Sequence, residues 1–327
     1  MSLVEARGLG RTFTLKEPFR KPVVISAVNG VDLSIARGET LAIVGESGCG
    51  KSTLGRLLLG LLPASSGSIR FEGTDLASLP PAGLRALRAR MQIVFQNTLA
   101  ALDPRMPVGE QIGEPLAIHG DAQQAVRRAE AERLVRDVGL DPILMTRRPH
   151  ELSGGQRQRV VIARALATRP SFVVFDEPVS ALDVSVQAQI IALIRKLQAS
   201  AGFASAFISH DLRVVRHVAD RVAVMYLGRI VEEGPVAEVF RNPAHPYTKA
   251  LIGAVPQVRA TVKAVRQRLA GEPANPAQMP GGCAFHPRCP VAQPRCSNAI
   301  PQLQPLGEGR IAACHLLAGA PAVRQSA

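Results

Sequence analysis

Thr40-Leu41-Ala42-Ile43-Val44-Gly45-Glu46-Ser47-Gly48-Cys49-Gly50-Lys51-Ser52-Thr53 is the stretch whose reading decides the fold. Its first five residues form a continuous apolar run, suited to a parallel strand buried on both faces. Gly45 to Gly50 then form a glycine-rich loop, and a helix is expected over Thr53–Leu62. Pro63 and Ser65-Ser66-Gly67-Ser68 break that helix. A strand, a Gly-x-x-x-x-Gly-Lys-Ser loop and a helix in this order cradle phosphates. The glycines let backbone N–H groups approach the anion, and the helix N-terminus adds about half a positive charge. Gly45, Glu46, Ser47, Gly48, Cys49, Gly50, Lys51, Ser52 and Thr53 are therefore expected around a nucleoside triphosphate. Lys51 is expected on the β- and γ-phosphates and Ser52 on Mg²⁺. Cys49 reads as a small packing residue of the loop.

Working outward, Phe172–Phe175 reads as another buried strand, ended by Asp176 and followed by Glu177. Asp176 suits the Mg²⁺ carboxylate of such a site, and Glu177 a general base that polarises the attacking water. Met91–Phe95 and Ala204–Ile208 read as further buried strands. A second glycine-rich site, Leu152-Ser153-Gly154-Gly155-Gln156, opens a helix expected over Gly155–Ala167. Taken alone, Ser153 there is a helix cap; together with the first loop, the segment is a second anion site. It has no evident use within its own subunit, because Gly45–Ser52 already supplies the phosphate cradle. Short strands are expected at Val23–Ile25, Leu33–Ile35 and Ile69–Phe71. Further helices are expected from Asp121 as cap through Ala122–Val138, after Asp211, and over Lys249–Gly253. Arg221–Tyr226 and Arg229–Glu233 read as a hairpin.

With 327 residues and 46% apolar content, the chain can bury one large core or two modest ones. No apolar run approaches the length of a membrane span, and Met1–Glu5 carries no secretory pattern, so a cytoplasmic location is expected. The net charge of +13 fits nucleic acid, an anionic membrane surface or merely solvated arginines. Aromatics at 4% and no tryptophan leave little for base stacking, which argues against nucleic acid. Four of the five cysteines, Cys283, Cys289, Cys296 and Cys314, fall in the last 45 residues, behind a proline-rich stretch that begins near Phe240. Clustered cysteines in a cytosolic chain point to metal before disulfides. Their spacing differs from the Cys-x₂-Cys pairs of common zinc ribbons, while four thiolates can also hold an iron–sulfur cluster.

The two loops, with Asp176 and Glu177 following the second, resemble the ATP-binding subunits of ABC transporters. The resemblance implies an α/β, P-loop NTPase core. Its mixed sheet carries a helical subdomain at about 97–165 and an N-terminal antiparallel β-subdomain, with the ATP-binding domain at 1–240. It implies that ATP is sandwiched between the Gly45–Ser52 loop of one subunit and Ser153–Gln156 of another. By the same resemblance Gln96 touches Mg²⁺ and water, Asp183 in Ser180-Ala181-Leu182-Asp183 crosses the dimer interface, and His210 contacts the γ-phosphate. Phe13 is the candidate for stacking on adenine, although the family usually has tyrosine there. A soluble ABC ATPase acting on nucleic acid is a different class, but it usually carries long coiled-coil insertions or tandem halves. A kinase or GTPase leaves Leu152–Gln156 without a role.

Pro149-His150-Glu151, Glu177-Pro178-Val179-Ser180, Asn242-Pro243-Ala244-His245-Pro246-Tyr247-Thr248-Lys249 and Gly271-Glu272-Pro273 look like the oligopeptide/dipeptide importer branch. That branch implies a peripheral ATPase on the cytoplasmic face of the inner membrane, powering peptide uptake. Nickel, glutathione or another small solute are the alternative cargoes. It implies a second ATPase subunit (a heterodimer more often than a homodimer), two membrane permeases and, indirectly, an external solute-binding protein. Leu102–Arg105 and Val108–Glu110 would receive the permease's coupling helix. The loop-rich tail, 241–327, is similar to ones that bind a [4Fe–4S] cluster through four cysteines. Structural zinc, and reduced or disulfide-linked cysteines, are its alternatives.

Overall fold

The computed structural model describes residues 2–15, 22–120, 123–254, 275 and 277–317. Two sheets organise the chain. β1 (Ser2–Leu15), β2 (Val23–Ala36), β4 (Ser66–Phe71) and β5 (Thr74–Asp75) form an antiparallel sheet in the order β2-β1-β4-β5. The larger sheet has the order β11-β12-β10-β9-β3-β8-β7-β6. It comprises β3 (Thr40–Val44), β6 (Met91–Val94), β7 (Phe172–Asp176), β8 (Ala204–Ser209), β9 (Arg221–Tyr226), β10 (Arg229–Pro235), β11 (Gln304–Gly307) and β12 (Arg310–Ala312). From β6 to β9 this sheet is parallel, and every residue of β3, β7 and β8 is buried. The apolar runs read from the sequence are the two-sided strands that such a sheet requires.

One face of the large sheet packs helix Lys51–Leu58 and the antiparallel sheet around Leu9, Ile35, Leu54, Leu57 and Phe71. The helix lies close: a Cβ on Gly55 would stand 2.8 Å from Ile208 Cδ1. Helices Val108–His119, Gln124–Asp137, Gly154–Leu166 and Val184–Ala201 contribute to a second core with Val173, Phe175 and Phe207. Arg164 fastens this helical group by donating to the Ala101 carbonyl and pairing with Glu114, at 2.6 and 2.7 Å.

Several boundaries differ from the sequence reading. The first helix spans Lys51–Leu58 rather than Thr53–Leu62, since Gly60 adopts φ +60° and turns the chain out of the helix. The short strands expected near Val23 and Leu33 are parts of one 14-residue strand, paired with an equally long β1 through several register shifts. Helix Gln124–Asp137 begins after Gln123 and ends where Gly139 turns left-handed at φ +70°. The cap expected at Asp121, with Ala122, lies outside the described residues, as does Gly271–Pro273.

The described part of the tail holds more regular structure than a loop-rich reading implies. β12 pairs with β10 through Glu232↔Ala312 and Glu233↔Ile311, so the tail extends the main sheet beyond the expected hairpin. The helix expected at Lys249 starts earlier, at Pro246, because His245 caps it: Tyr247 N donates to His245 Nδ1 at 3.0 Å. Buried Glu232 accepts from the N–H groups of Ala244 and His245, both at 2.8 Å. Phe285 of the tail completes an aromatic core with Tyr226, Tyr247 and His245, at centroid separations of 5.3, 5.4 and 5.7 Å.

Burial pushes the His245 imidazole down to about 4 from an ordinary 6.5. The unfolded chain therefore takes up the proton first. The stability held by the neutral ring is complete above the unfolded value and is lost as pH falls through that window toward 4. Thermal melts at stepped pH should show a steeper loss between pH 6.5 and 4 in the wild type than in His245→Asn, by about 2 kcal/mol of unfolding free energy.

Candidate active site

The loop after β3 owes its shape to close backbone neighbours. A Cβ on Gly50, at φ +107°, would stand 2.0 Å from the Ala27 carbonyl oxygen; one on Gly45 would stand 2.2 Å from that of Met225. Only glycine fits such approaches, and its left-handed φ aims the loop at the start of helix Lys51–Leu58. Gly50 is that helix's N-cap and brings no capping side chain, so the first-turn N–H groups face outward as anion donors. Lys51 is buried, and its ammonium donates to the carbonyls of Gly45 and Glu46 at 2.8 and 2.9 Å. Cys49 is buried behind the loop, and burial raises its thiol above the ordinary value, in keeping with a packing role.

Ser52 Oγ donates to Asp176 Oδ1 at 2.8 Å. Burial raises the Asp176 carboxyl above the usual carboxylate range, so this group gains from a cation placed beside it. The next residue, Glu177, adopts φ +49°, and its N–H donates to the Ile208 carbonyl at 3.1 Å. That left-handed turn at the end of β7 carries the carboxylate between two partners. Gln96 Nε2 donates to one oxygen at 2.9 Å, and His210 Nδ1 lies 3.3 Å from the other. Gln96, Asp176, Glu177, His210 and Ser52 thus come together from the ends of β6, β7 and β8 and the first turn of the helix. A cleft of about 590 Å³ opens beside them, lined by Ser52, Arg56, Phe95, Gln96, Arg164 and Asp176 among others.

Ser153 and Gln156 form a reciprocal cap at the head of helix Gly154–Leu166: Gln156 N donates to Ser153 Oγ at 3.3 Å and Ser153 N to Gln156 Oε1 at 2.9 Å. Ser153, Gly154, Gly155 and Gln156 line a separate recess of about 340 Å³ with Ala181, Leu182, Asp183 and Val186. No residue of 45–53 lines it. Asp183 caps helix Val184–Ala201 through Val186 N at 3.0 Å, and that bond, with Ser185, holds its carboxyl below the usual range. Phe13 lies on β1 opposite Ile25, with the Arg11 guanidinium 4.8 Å from its ring centre; neither cavity includes it. Gln111 braces the turn after Gln96, accepting from Asp103 N and donating to the carbonyls of Asp103 and Met106.

Cys283, Cys289, Cys296 and Cys314 are free thiols, and Cys283 N donates to the Cys296 carbonyl at 2.8 Å. Burial, and secondarily the neighbouring thiols, raise Cys283, Cys289 and Cys314. Among the described residues, no group of three or more His, Cys, Asp or Glu side chains is set to hold a metal ion. Sequence reading misses the grip of this tail on the phosphate loop. Tyr247 Oη accepts from Glu46 N at 2.9 Å, and Arg288 forms a two-pronged pair with the Glu46 carboxylate at 2.7 and 3.0 Å. Tyr247 lies within the Asn242–Lys249 motif; Arg288, 242 residues from its partner, carries no local signal.

A buried-strand phosphate loop, a Ser–Asp pair and a carboxylate flanked by Gln and His define an ATPase of the P-loop class. A family model described as ABC transporter matches residues 28–180, and one described as Oligopeptide/dipeptide transporter, C-terminal region, matches 231–296. The chain is 51% identical to a probable peptide ABC transporter ATP-binding protein of Sinorhizobium fredii, over 93% of this chain and 86% of that one. It is 46% identical to the oligopeptide transport ATP-binding protein AppF of Bacillus subtilis, over 96% and 97%. Among solved structures it resembles the ATP-binding cassette MJ0796, dimeric and bound to ADP and Pi after hydrolysis. There the TM-score is 0.64 and the identity 29%, over 71% of this chain and 98% of that one. The chain belongs to the ATP-binding subunits of oligopeptide/dipeptide-type ABC transporters. Among the described residues, no helix is long and apolar enough to cross a membrane.

Proposed function

We propose that the chain hydrolyses ATP to drive uptake of di- or oligopeptides, as one of two ATPase subunits beneath two membrane permeases on the cytoplasmic face. A peptide cargo is favoured over nickel or glutathione because its relatives, including a di/tripeptide transport protein of Pseudomonas aeruginosa at 45% identity, carry peptide names. We read residues 1–240 as the ATP-binding unit, 97–165 as its helical part and 241–327 as the appendage. Specificity then resides in the permeases and an external solute-binding protein.

In this reading the backbone of Gly45–Ser52 and Thr53 wraps the phosphates, Lys51 exchanges its loop carbonyls for phosphate oxygens, and Phe13 faces adenine. Ser52, Asp176 and Gln96 would hold Mg²⁺, a fit supported by the buried, proton-hungry Asp176 carboxylate beside the Ser52 hydroxyl. The ion would neutralise charge on the phosphate oxygens. Glu177 accepts the proton of the attacking water, Gln96 orients that water, and His210 reaches the γ-phosphate. The carrying observation is the clamp on Glu177 from both sides, at 2.9 and 3.3 Å. A second chain supplies Ser153–Gln156 and Asp183 across the interface. The separation of their recess from residues 45–53 supports that arrangement, as does the dimeric state of the cassette it resembles. The two ATPase chains are non-identical in this reading. The Gln111-braced turn at Leu102–Arg105 and the start of helix Val108–His119 face a permease. Closure of the ATP sandwich then moves that contact, a two-state switch biased by nucleotide.

Glu177→Gln should bind ATP as tightly as the wild type while turnover falls by about 100-fold or more. Phosphate release and nucleotide titration measure the two quantities, and retained turnover would remove Glu177 from the role of base.

The four tail cysteines are proposed to carry a [4Fe–4S] cluster. The support is the residue type alone, four free cysteines between 283 and 314 with no disulfide among the described residues; no three of their side chains are set around a common metal position. No step of hydrolysis depends on it. An anaerobic preparation should contain about four iron and four sulfide per chain. Stoichiometric zinc without iron would assign the thiols to a structural zinc site instead.

A further inference from the structure

We infer that Arg288, presented by the cysteine-bearing tail, is a positioning residue for the ATP site, acting through Glu46 of the phosphate loop. The inference rests on the reading of Gly45–Ser52 as the triphosphate site.

Glu46 is held at three points. Its N–H donates to Tyr247 Oη at 2.9 Å, its carbonyl accepts from Lys51 Nζ at 2.9 Å, and its carboxylate is forked by Arg288 at 2.7 and 3.0 Å. Two of these three partners come from beyond residue 240. The Arg288 side chain is only 6% exposed, so its guanidinium faces protein partners, Glu46 among them, rather than solvent. Its Nη1 also lies 3.5 Å from Tyr226 Oη. Two parallel N–H···O bonds fix both distance and orientation, which a lysine cannot do.

The charge of Glu46 explains why it needs this partner. A carboxylate one residue into a loop that receives a triphosphate repels its ligand. Arg288 cancels that charge and also pins the residue whose carbonyl holds the Lys51 ammonium. The tail is firmly anchored where it does this. Phe285 is buried between Tyr226 and Tyr247, Arg288 N donates to the Phe285 carbonyl at 3.0 Å, and Cys283 N is tied to Cys296. The segment from Cys283 to Cys289 therefore sets the height of Arg288 against the loop. The cysteine-bearing segment thus reaches the loop at 45–53 through the Arg288–Glu46 pair, beside the Tyr247 contact.

The test uses the full chain in its assembled transporter, with steady-state ATP hydrolysis and thermal melting of each variant. Arg288→Gln should raise the KM for ATP about tenfold while kcat stays within about twofold, the loss of one charge-assisted contact. Arg288→Lys should recover part of that loss, since it restores the charge without the fork. Adding Glu46→Gln to Arg288→Gln should bring KM back to within about threefold of the wild type, because the stranded carboxylate is gone. An unchanged KM in Arg288→Gln, a loss confined to kcat, or a double variant as impaired as the sum of its parts would overturn the inference. Should Arg288→Gln fail to fold, the double variant decides: a wild-type melt with a KM raised about tenfold overturns it. A wild-type complex without ATP turnover would instead count against the proposed function.

Discussion

Everything in the site depends on how closely the loop after β3 is pressed against its neighbours. The carbonyls of Ala27 and Met225 stand where side chains at Gly50 and Gly45 would begin, at 2.0 and 2.2 Å. That approach sets the start of helix Lys51–Leu58, and with it the positions of Lys51 and Ser52. Ser52 in turn meets Asp176 only because β3, β8 and β7 run parallel and in register, ending their strands at one edge. At that edge the left-handed backbone of Glu177 swings a carboxylate between Gln96 and His210. The gathering of Ser52, Gln96, Asp176, Glu177 and His210 follows from sheet topology and two tight backbone approaches.

The tail belongs to the same construction. β12 adds to the edge of the sheet at β10, and Phe285 completes a core that Tyr226 and Tyr247 could not close by themselves. Glu232, His245 and Tyr247 form a chain of buried polar contacts that ends on the N–H of Glu46. The Asn242–Lys249 motif thus has a physical explanation: a histidine kept neutral by burial caps a helix whose tyrosine supports the phosphate loop. The tail braces the loop at 45–53 as well as carrying the cysteines.

How much is legible in the sequence follows from the range of the interactions. The Thr40–Val44 run, the glycine loop, and the caps at Ser153 and Asp211 are local, and each can be read from a few neighbouring residues. Asp176 and Glu177 can be read from the strand they end, but the arrival of Gln96 and His210 beside them becomes legible only through resemblance, because β6, β7 and β8 are far apart in the chain. The long β1–β2 pairing reads as short pieces, since its bulges interrupt the alternation that marks a strand. Leu59–Leu62 looks helical by composition, and Gly60 overrules it. The Arg288–Glu46 pair lies beyond reach: neither residue's neighbours hint at the other.

The central claim is that a working site needs two chains, because the recess of Ser153–Gln156 and Asp183 shares no lining residue with the loop at 45–53. A single substitution, read out on each chain separately, tests it most directly. Ser153→Arg is assembled with the partner ATPase and the permeases, and photolabelling by an azido-ATP is measured on the two ATPase chains in turn. The account predicts that the variant chain still labels at its own phosphate loop, while labelling of the partner chain collapses and turnover falls. Loss of label from the variant chain with the partner's label intact would contradict it, as would wild-type labelling and full turnover.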